Sequence, residues 1–383
     1  MKKLIIPLAL ATFFAGALWY AFHSQIIIFS FPALAEYSFQ QAQEKTISLY
    51  WFKDHQKITE KNDIIWPSSM PENITAVISA WLALAQEENL IDRRVKLQHV
   101  SLTANKNELF VSFSHTLFGH HLSIIKKWES IEGLLLTLKP LFPEMCWIRF
   151  LVQDAPLNDD HIDFSASLPV APFLSIFNPV GSTAVHNQGV SAIVIHPFGD
   201  KTVTGKIIAQ EFERKIMRQM AVKIKEILES TGKFRVYITH EIGQPSDREQ
   251  NATFANRLAA DLYIDLVGFE SKKVVSEIQC FFPLYDPATD FWAKKRDTLS
   301  LTPIHKAFLK NCNRSLTACS QFSKNLKQCS EQRMIINPYF GLPLRRWVGI
   351  EVPSMVIECG MQKPEQVTQI ACVIAQALEK TIF

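Results

Sequence analysis

The residues of this chain best suited to chemistry lie in its second half. The apolar run IVIHPFGD (193–200) carries His196, Gly199 and Asp200, Glu213 opens a helical stretch, His240 follows FRVYIT (234–239), and SMVIECG (354–360) contains Glu358 and Cys359. Imidazoles and carboxylates gathered in this way suit a divalent cation. A cation held by several protein ligands can polarise a bound water. No serine-histidine-aspartate or cysteine-histidine set competes with this reading. Cys359 has no base beside it in sequence and reads as a small core residue.

The elements around these residues must bring them together. A strand at 190–196, a helix striped by Phe212, Ile216, Met220, Ile224 and Ile227, a strand at 234–239, a helix at 249–259 and a strand at 261–268 alternate as βαβ units require. A strand at 354–360 and a helix with Val367, Ile370, Ala371, Ile374 and Leu378 on one stripe close the region. An α/β domain with a mostly parallel sheet is predicted for 190–383. Side chains at the carboxyl ends of its strands converge on one edge.

This order resembles the zinc-dependent N-acetylmuramoyl-L-alanine amidases of bacterial cell-wall remodelling. FERKIMRQMAVKIKEIL (212–228) is similar to the family helix that opens with a ligand glutamate, TFANRLAADLYIDL (253–266) to its alanine-asparagine helix and following strand, and VPSMVIECG (352–360) to its last strand. The resemblance implies a metal-ligand position for Glu213, a catalytic position for Glu358, and a groove along Gly199, Asp200, Asn256 and Val267. It also exposes departures. Gly199 stands where the family's first loop has a zinc-binding histidine, Val267 where a strand should end in the second histidine, and Asn251 and His240 where arginines are usual. A lone carboxylate does not grip zinc, whose complete structural sites are worth on the order of 10 kcal/mol.

Three functional readings follow. The first is a domain without zinc catalysis and without a cofactor, which binds peptidoglycan or an envelope protein. The second is a working amidase with a rearranged zinc site in which His196 and His240 join Glu213, cleaving the bond between the muramic lactyl group and L-alanine. The third is a purely structural envelope scaffold. Each acidic residue also has a plainer role: Glu213 as a helix-start carboxylate matched to the dipole, and Glu358 as a buried carboxylate that needs a partner.

Upstream, ISLYWF (47–52) reads as a strand, NITAVISAWLALAQEE (73–88) as a helix, and RVKLQHVSLTANKNELFVSFS (94–114) as a hairpin. SIIKKWESIEGLLLTL (123–138) reads as a second helix and CWIRFLVQD (146–154) as a strand. The order βαββαβ predicts an α+β unit over 46–164 with two helices on one face of a sheet. It resembles the sporulation and germination module called GerMN, which implies a noncatalytic extracytoplasmic role. Residues 165–189, with three prolines and two glycines, read as a linker.

Lys2 and Lys3 precede a stretch to Ala35 without Asp, Glu, Lys or Arg, so residues 1–35 are expected to be a signal anchor that spans a membrane, with cleavage at the small-x-small runs Ala15-Gly16-Ala17 or Ala33-Leu34-Ala35 as the alternative. The rest of the chain then lies outside the cytoplasm, on the periplasmic or cell-surface side. Forty basic and 37 acidic residues nearly cancel, which excludes the basic stripe of a nucleic-acid partner. Cys312, Cys319 and Cys329 crowd a polar segment, 310–333, where export permits a disulfide between two of them. That segment reads as solvent-facing. Cys146, Cys359 and Cys372 sit in apolar contexts and read as core.

Overall fold

The computed structural model describes residues 43–170, 190–283 and 304–382, except 68, 120, 121, 166, 242 and 332. The expected anchor at 1–35 lies outside the described residues, as does most of the expected linker. Among the described residues, no helix is long and apolar enough to cross a membrane.

The N-terminal α+β region opens with a long hairpin of β1 (Gln43–Lys53) and β2 (Gln56–Trp66). Asp54 and His55 between them have φ of 49° and 65°, the left-handed pair that a two-residue hairpin turn demands. Helix α1 (Met70–Glu87) starts where the Ser69 hydroxyl accepts the Glu72 N–H, and it buries Ile74, Val77, Ile78, Trp81 and Ala85 at helical spacing. Strands β3 (Leu97–Leu102) and β4 (Glu108–Phe113), helix α2 (Ile124–Leu141) and strand β5 (Trp147–Val152) follow. Two short strands, β6 (Ala155–Pro156) and β7 (Leu168–Pro169), pair with β5 and complete a five-stranded sheet.

Two expectations need correcting here. The first strand does not join the sheet of β3, β4 and β5; it pairs with β2 in a separate two-stranded sheet. QKITEKND gave no strand signal because most of β2 is solvent-exposed and its polar residues break the alternation. The sheet also takes in residues 168–169, which composition had assigned to the linker.

In the α/β region, β8 (Ser191–Pro197) leads through a short hairpin, β9 (Ile207–Ile208) and β10 (Glu211–Phe212), into helix α3 (Glu213–Ser230). Then come β11 (Phe234–Ile238), α4 (Arg248–Arg257), β12 (Leu262–Glu270) and β13 (Glu277–Pro283). After residues 284–303, a 3-10 segment (Ile304–Asn311) runs into helix α5 (Cys312–Cys329). Strands β14 (Ile335–Ile336), β15 (Phe340–Leu342) and β16 (Ser354–Met361) and helix α6 (Gln366–Ile382) end the chain. The sheet order is β11-β8-β12-β16-β13-β14, with β15 also on β13. The first four strands are mutually parallel and β13 runs antiparallel to β16.

Helix α6 buries Val367, Ile370, Ala371, Ile374 and Leu378. On α3 the buried stripe is Ile216, Met217, Met220, Ala221, Ile224 and Leu228, while Phe212 stays 48 % exposed at the helix start. Segment 310–333 is not solvent-facing. It forms α5, which buries Ser315, Cys319, Phe322, Ser323 and Leu326 on one side, because its apolar residues recur at helical spacing among the polar ones. A continuous apolar core joins the N-terminal region to the α/β region, with side chains of α1, α2, β4, α3, β12, β16 and α6 in one cluster.

Candidate functional site

Strand alternation decides which residues can meet. Along β12, Leu262, Ile264 and Leu266 join the main core, while Tyr263 packs in a smaller cluster with Val194, Ala252 and Ala255. Asp265 and Val267 therefore share the face of Tyr263. The parallel register sets His196 of β8 beside Asp265, and Glu358 of β16 beside Val267. Of the sequence-predicted positions, Glu213, Val267 and Glu358 lie toward the carboxyl edge, where the start of α2 covers Glu358, whereas Asn256 stands at the turn before β16, the opposite edge.

The two retained carboxylates sit in this covered zone, fully buried. Glu213 Oε1 accepts the Gly268 N–H at 2.8 Å and Oε2 accepts the Lys206 N–H at 3.1 Å. Glu358 Oε1 accepts the N–H of Ile124 at 2.8 Å, the first residue of α2. A helix N-terminus presents unpaired N–H groups and a partial positive charge, so it suits an anionic carboxylate. The Lys206 ammonium donates to the carbonyls of Leu122 and Gly268, both at 3.2 Å. Its charge is felt by both Glu213 and Glu358.

Burial dominates the protonation of this cluster. It pushes the Glu358 carboxyl up to about 7 against the pull of Lys206 and of the Ile124 N–H. The same penalty raises Glu213, opposed by Lys206 and two backbone N–H groups, and lowers Lys206. Around it, Lys127 pairs with Asp159 at 2.5 Å, and His161 stacks on Phe198 with ring centroids 5.5 Å apart. Burial, followed by the charges of Lys206 and Lys127, holds His161 well below the usual imidazole range. Arg346 places one guanidinium nitrogen 2.7 Å from each oxygen of Asp265 and lies over the Phe198 ring, 4.5 Å from its centroid.

His196 and His240 form a different group. The Gly199 carbonyl can only accept, so His240 donates to it from Nε2 at 2.8 Å and must accept the Thr239 hydroxyl proton at Nδ1. His196 Nδ1 lies 2.8 Å from Thr239 Oγ1 and 3.3 Å from the Asn251 amide nitrogen. The relay engages every ring nitrogen of the pair except His196 Nε2. Neither imidazole hydrogen-bonds to Glu213 or Glu358 among the described residues. Burial lowers His196 to about 4, so its ring is neutral at pH 7.

The other groove candidates hold loops in place. Partial burial alone would raise the Asp200 carboxyl, but the N–H groups of Ser246, Val203 and Thr202 and the Thr202 hydroxyl pull it down to about 2. Asn256 pins the turn before β16 by donating to the Gly349 carbonyl and accepting the Glu351 N–H. Val267 is wholly buried. Gly199 has φ +86°, and a side chain there would stand 2.6 Å from Arg214 Cβ, so the backbone at this position rejects a histidine.

These residues do not fit a zinc ion. Both Glu213 oxygens are already engaged by N–H groups, the Lys206 ammonium adds a positive charge felt by both carboxylates, and both imidazoles contact Thr239. Among the described residues, no group of three or more histidines, cysteines, aspartates or glutamates is arranged to hold a metal. The cysteines also depart from expectation. Cys312, Cys319 and Cys329 share helix α5 at separations of seven and ten residues, which a rise of 1.5 Å makes about 10 and 15 Å. A disulfide spans less than about 7 Å between Cα atoms, so none of the three reaches another. All are free, and Cys146, read as core, is exposed.

Sequence reasoning missed Lys206, Arg346, His161 and Ile124. Lys206 lies seven residues before Glu213, and only the β9–β10 hairpin folds it back. Gly205 beside it has φ +74°, and a Cβ there would sit 2.7 Å from Glu213 Oε2. Gly205→Ala is expected to cost about 1–2 kcal/mol from backbone conformation alone, and more where Glu213 must shift. Urea unfolding measures this, and an unchanged midpoint would show that the hairpin does not set the carboxylate.

No family model matches the chain, and no curated protein does. Solved structures similar over about half of it include the catalytic domain of CwlV, an N-acetylmuramoyl-L-alanine amidase from Bacillus (Paenibacillus) polymyxa var. colistinus. That match has 15 % identity and a TM-score of 0.34, and covers 50 % of this chain and 96 % of that one. The amidase AmiC2 of Nostoc punctiforme matches at 13 % identity and a TM-score of 0.37, over 51 % of this chain and 98 % of that one. The CwlD amidase of Clostridioides difficile, solved in complex with the GerS lipoprotein, matches at 14 % and 0.32, over 50 % and 98 %.

Proposed function

We propose that this chain is an extracytoplasmic cell-envelope protein, anchored by residues 1–35, whose amidase-like region at 190–383 binds peptidoglycan or an envelope partner without hydrolysing it. The GerMN-like region, assigned to 46–164, acts on this reading as a fixed cover over the carboxyl edge. One observation carries the proposal: Glu213 and Glu358 are fully buried, and three of their four oxygens accept backbone N–H groups, one of them at the start of α2, while Glu358 Oε2 has no partner among the described residues. A general base with no exposed face and no metal-polarised water has nothing to deprotonate. The residue order shared with the amidases at Glu213, Asn256 and Glu358 supports descent of the domain from a cell-wall hydrolase.

The test uses the full chain in detergent. Its zinc content is expected to be far below one equivalent after exposure to excess zinc and desalting, with no stem peptide released from purified sacculi. Retention on the same sacculi in a pull-down distinguishes peptidoglycan from a protein partner. Chelator-sensitive release of stem peptides would falsify the proposal and restore the reading with rearranged ligands.

A further inference from the structure

Strand β2 is 11 residues long and, among the described residues, is paired on one side only, with β1. A long, free edge of this kind templates another strand. The hairpin register determines which groups face outward. Lys53 and Gln56 flank the two-residue turn as a hydrogen-bonded pair, so Gln56, Ile58, Glu60, Asn62, Ile64 and Trp66 turn their backbone groups toward β1. Lys57, Thr59, Lys61, Asp63 and Ile65 turn theirs to solvent. Their side chains are exposed as well, Ile65 by 64 %.

We propose that this edge pairs antiparallel with β2 of a second copy, about a two-fold axis through Asn62. The axis must be perpendicular to the sheet, so only registers in which a residue faces its own copy are allowed. Centring on Glu60, Lys61 or Asp63 sets like charges directly opposite, and centring on Thr59 sets Lys57 against Lys61. Centring on Asn62 instead pairs Lys61 with the second copy's Asp63, and Asp63 with its Lys61. Thr59 then meets Ile65, and Ile58 meets Trp66, twice each. Opposite charges and apolar cross-strand pairs each favour this register, and like charges penalise its neighbours. The outward residues Lys61, Asp63, Thr59 and Ile65 become the hydrogen-bonded pairs, as the orientation of their backbone requires. The product is one four-stranded sheet in place of two hairpins.

Cysteine cross-linking of the full chain in detergent, in a Cys146→Ser background, tests the register. In a non-hydrogen-bonded antiparallel pair the Cα atoms stand about 4.5 Å apart, within disulfide range. Asn62→Cys is expected to oxidise to a species of twice the 43.7 kDa chain mass, and Glu60→Cys is not. Adding Lys61→Glu or Asp63→Lys to Asn62→Cys is expected to cut the cross-linked fraction at least tenfold, and Lys61→Asp with Asp63→Lys to restore it. A monomer under all conditions overturns the proposal. So does efficient cross-linking at residue 60, or cross-linking at 62 that ignores the charge swaps. Sacculus binding is a separate readout, so failure here leaves the preceding proposal standing.

Discussion

Lys206→Met is expected to lower the melting temperature by about 10 °C at pH 8. The substitution keeps the length of the buried chain and removes the ammonium that serves both Glu213 and Glu358. Lys206 makes no direct ion pair with either acid, but removing a buried cation leaves nearby carboxylate charge uncompensated, on a scale that reaches about 3–5 kcal/mol for a direct pair. For a domain of about 150–250 residues, the size class of the α/β region, each kcal/mol is worth roughly 2–4 °C. Two carbonyls, of Leu122 and Gly268, lose their donor as well. The loss should shrink at pH 5, where Glu358 is protonated and no longer needs a cation. Scanning calorimetry at the two pH values checks this. An equal loss at both would place the stabilising role of Lys206 in packing.

The second large effect is the pH dependence of stability set by Glu358. Its carboxyl titrates near 7 in the fold against an ordinary value of 4.5. The folded state therefore holds the proton more tightly than the unfolded chain. Stability from this group is fully present below pH 4.5 and is lost as pH rises through 7. Across that window the loss amounts to roughly 3 kcal/mol at 1.36 kcal/mol per pH unit. Glu358→Gln keeps an acceptor for the Ile124 N–H and removes the titration. Relative to the parent, it should gain stability steadily between pH 5 and pH 8 in urea unfolding. In Lys206→Met/Glu358→Gln most of the Lys206→Met loss should be recovered, since the two residues act as one unit. A parent-minus-variant difference that stays flat with pH would mean that Glu358 ionises normally.

Local pattern was informative wherever burial was one-sided. Val367, Ile370, Ala371, Ile374 and Leu378 recur at helical spacing, and all five are buried on α6. SMVIECG is apolar enough to read as a strand, and it is buried throughout. Strand β2 escaped because an exposed edge carries polar residues on both faces, and α5 was taken for surface because its buried stripe is narrow. Within the site, Gly199 and Val267 were read as lost ligands. The left-handed backbone of Gly199 gives the glycine a positive role in its loop.

The chain's own letters settle the alternation of strand and helix that brings Glu213 and Glu358 toward one sheet edge, because hydrophobic period is a property of near neighbours. What the carboxylates meet was decided only in three dimensions. Ile124 reaches Glu358 across 234 positions of sequence, and a hairpin folds the Lys206 N–H back onto Glu213. A charge is stabilised by what lies within a few ångströms of it, and no linear spacing encodes which distant element arrives there.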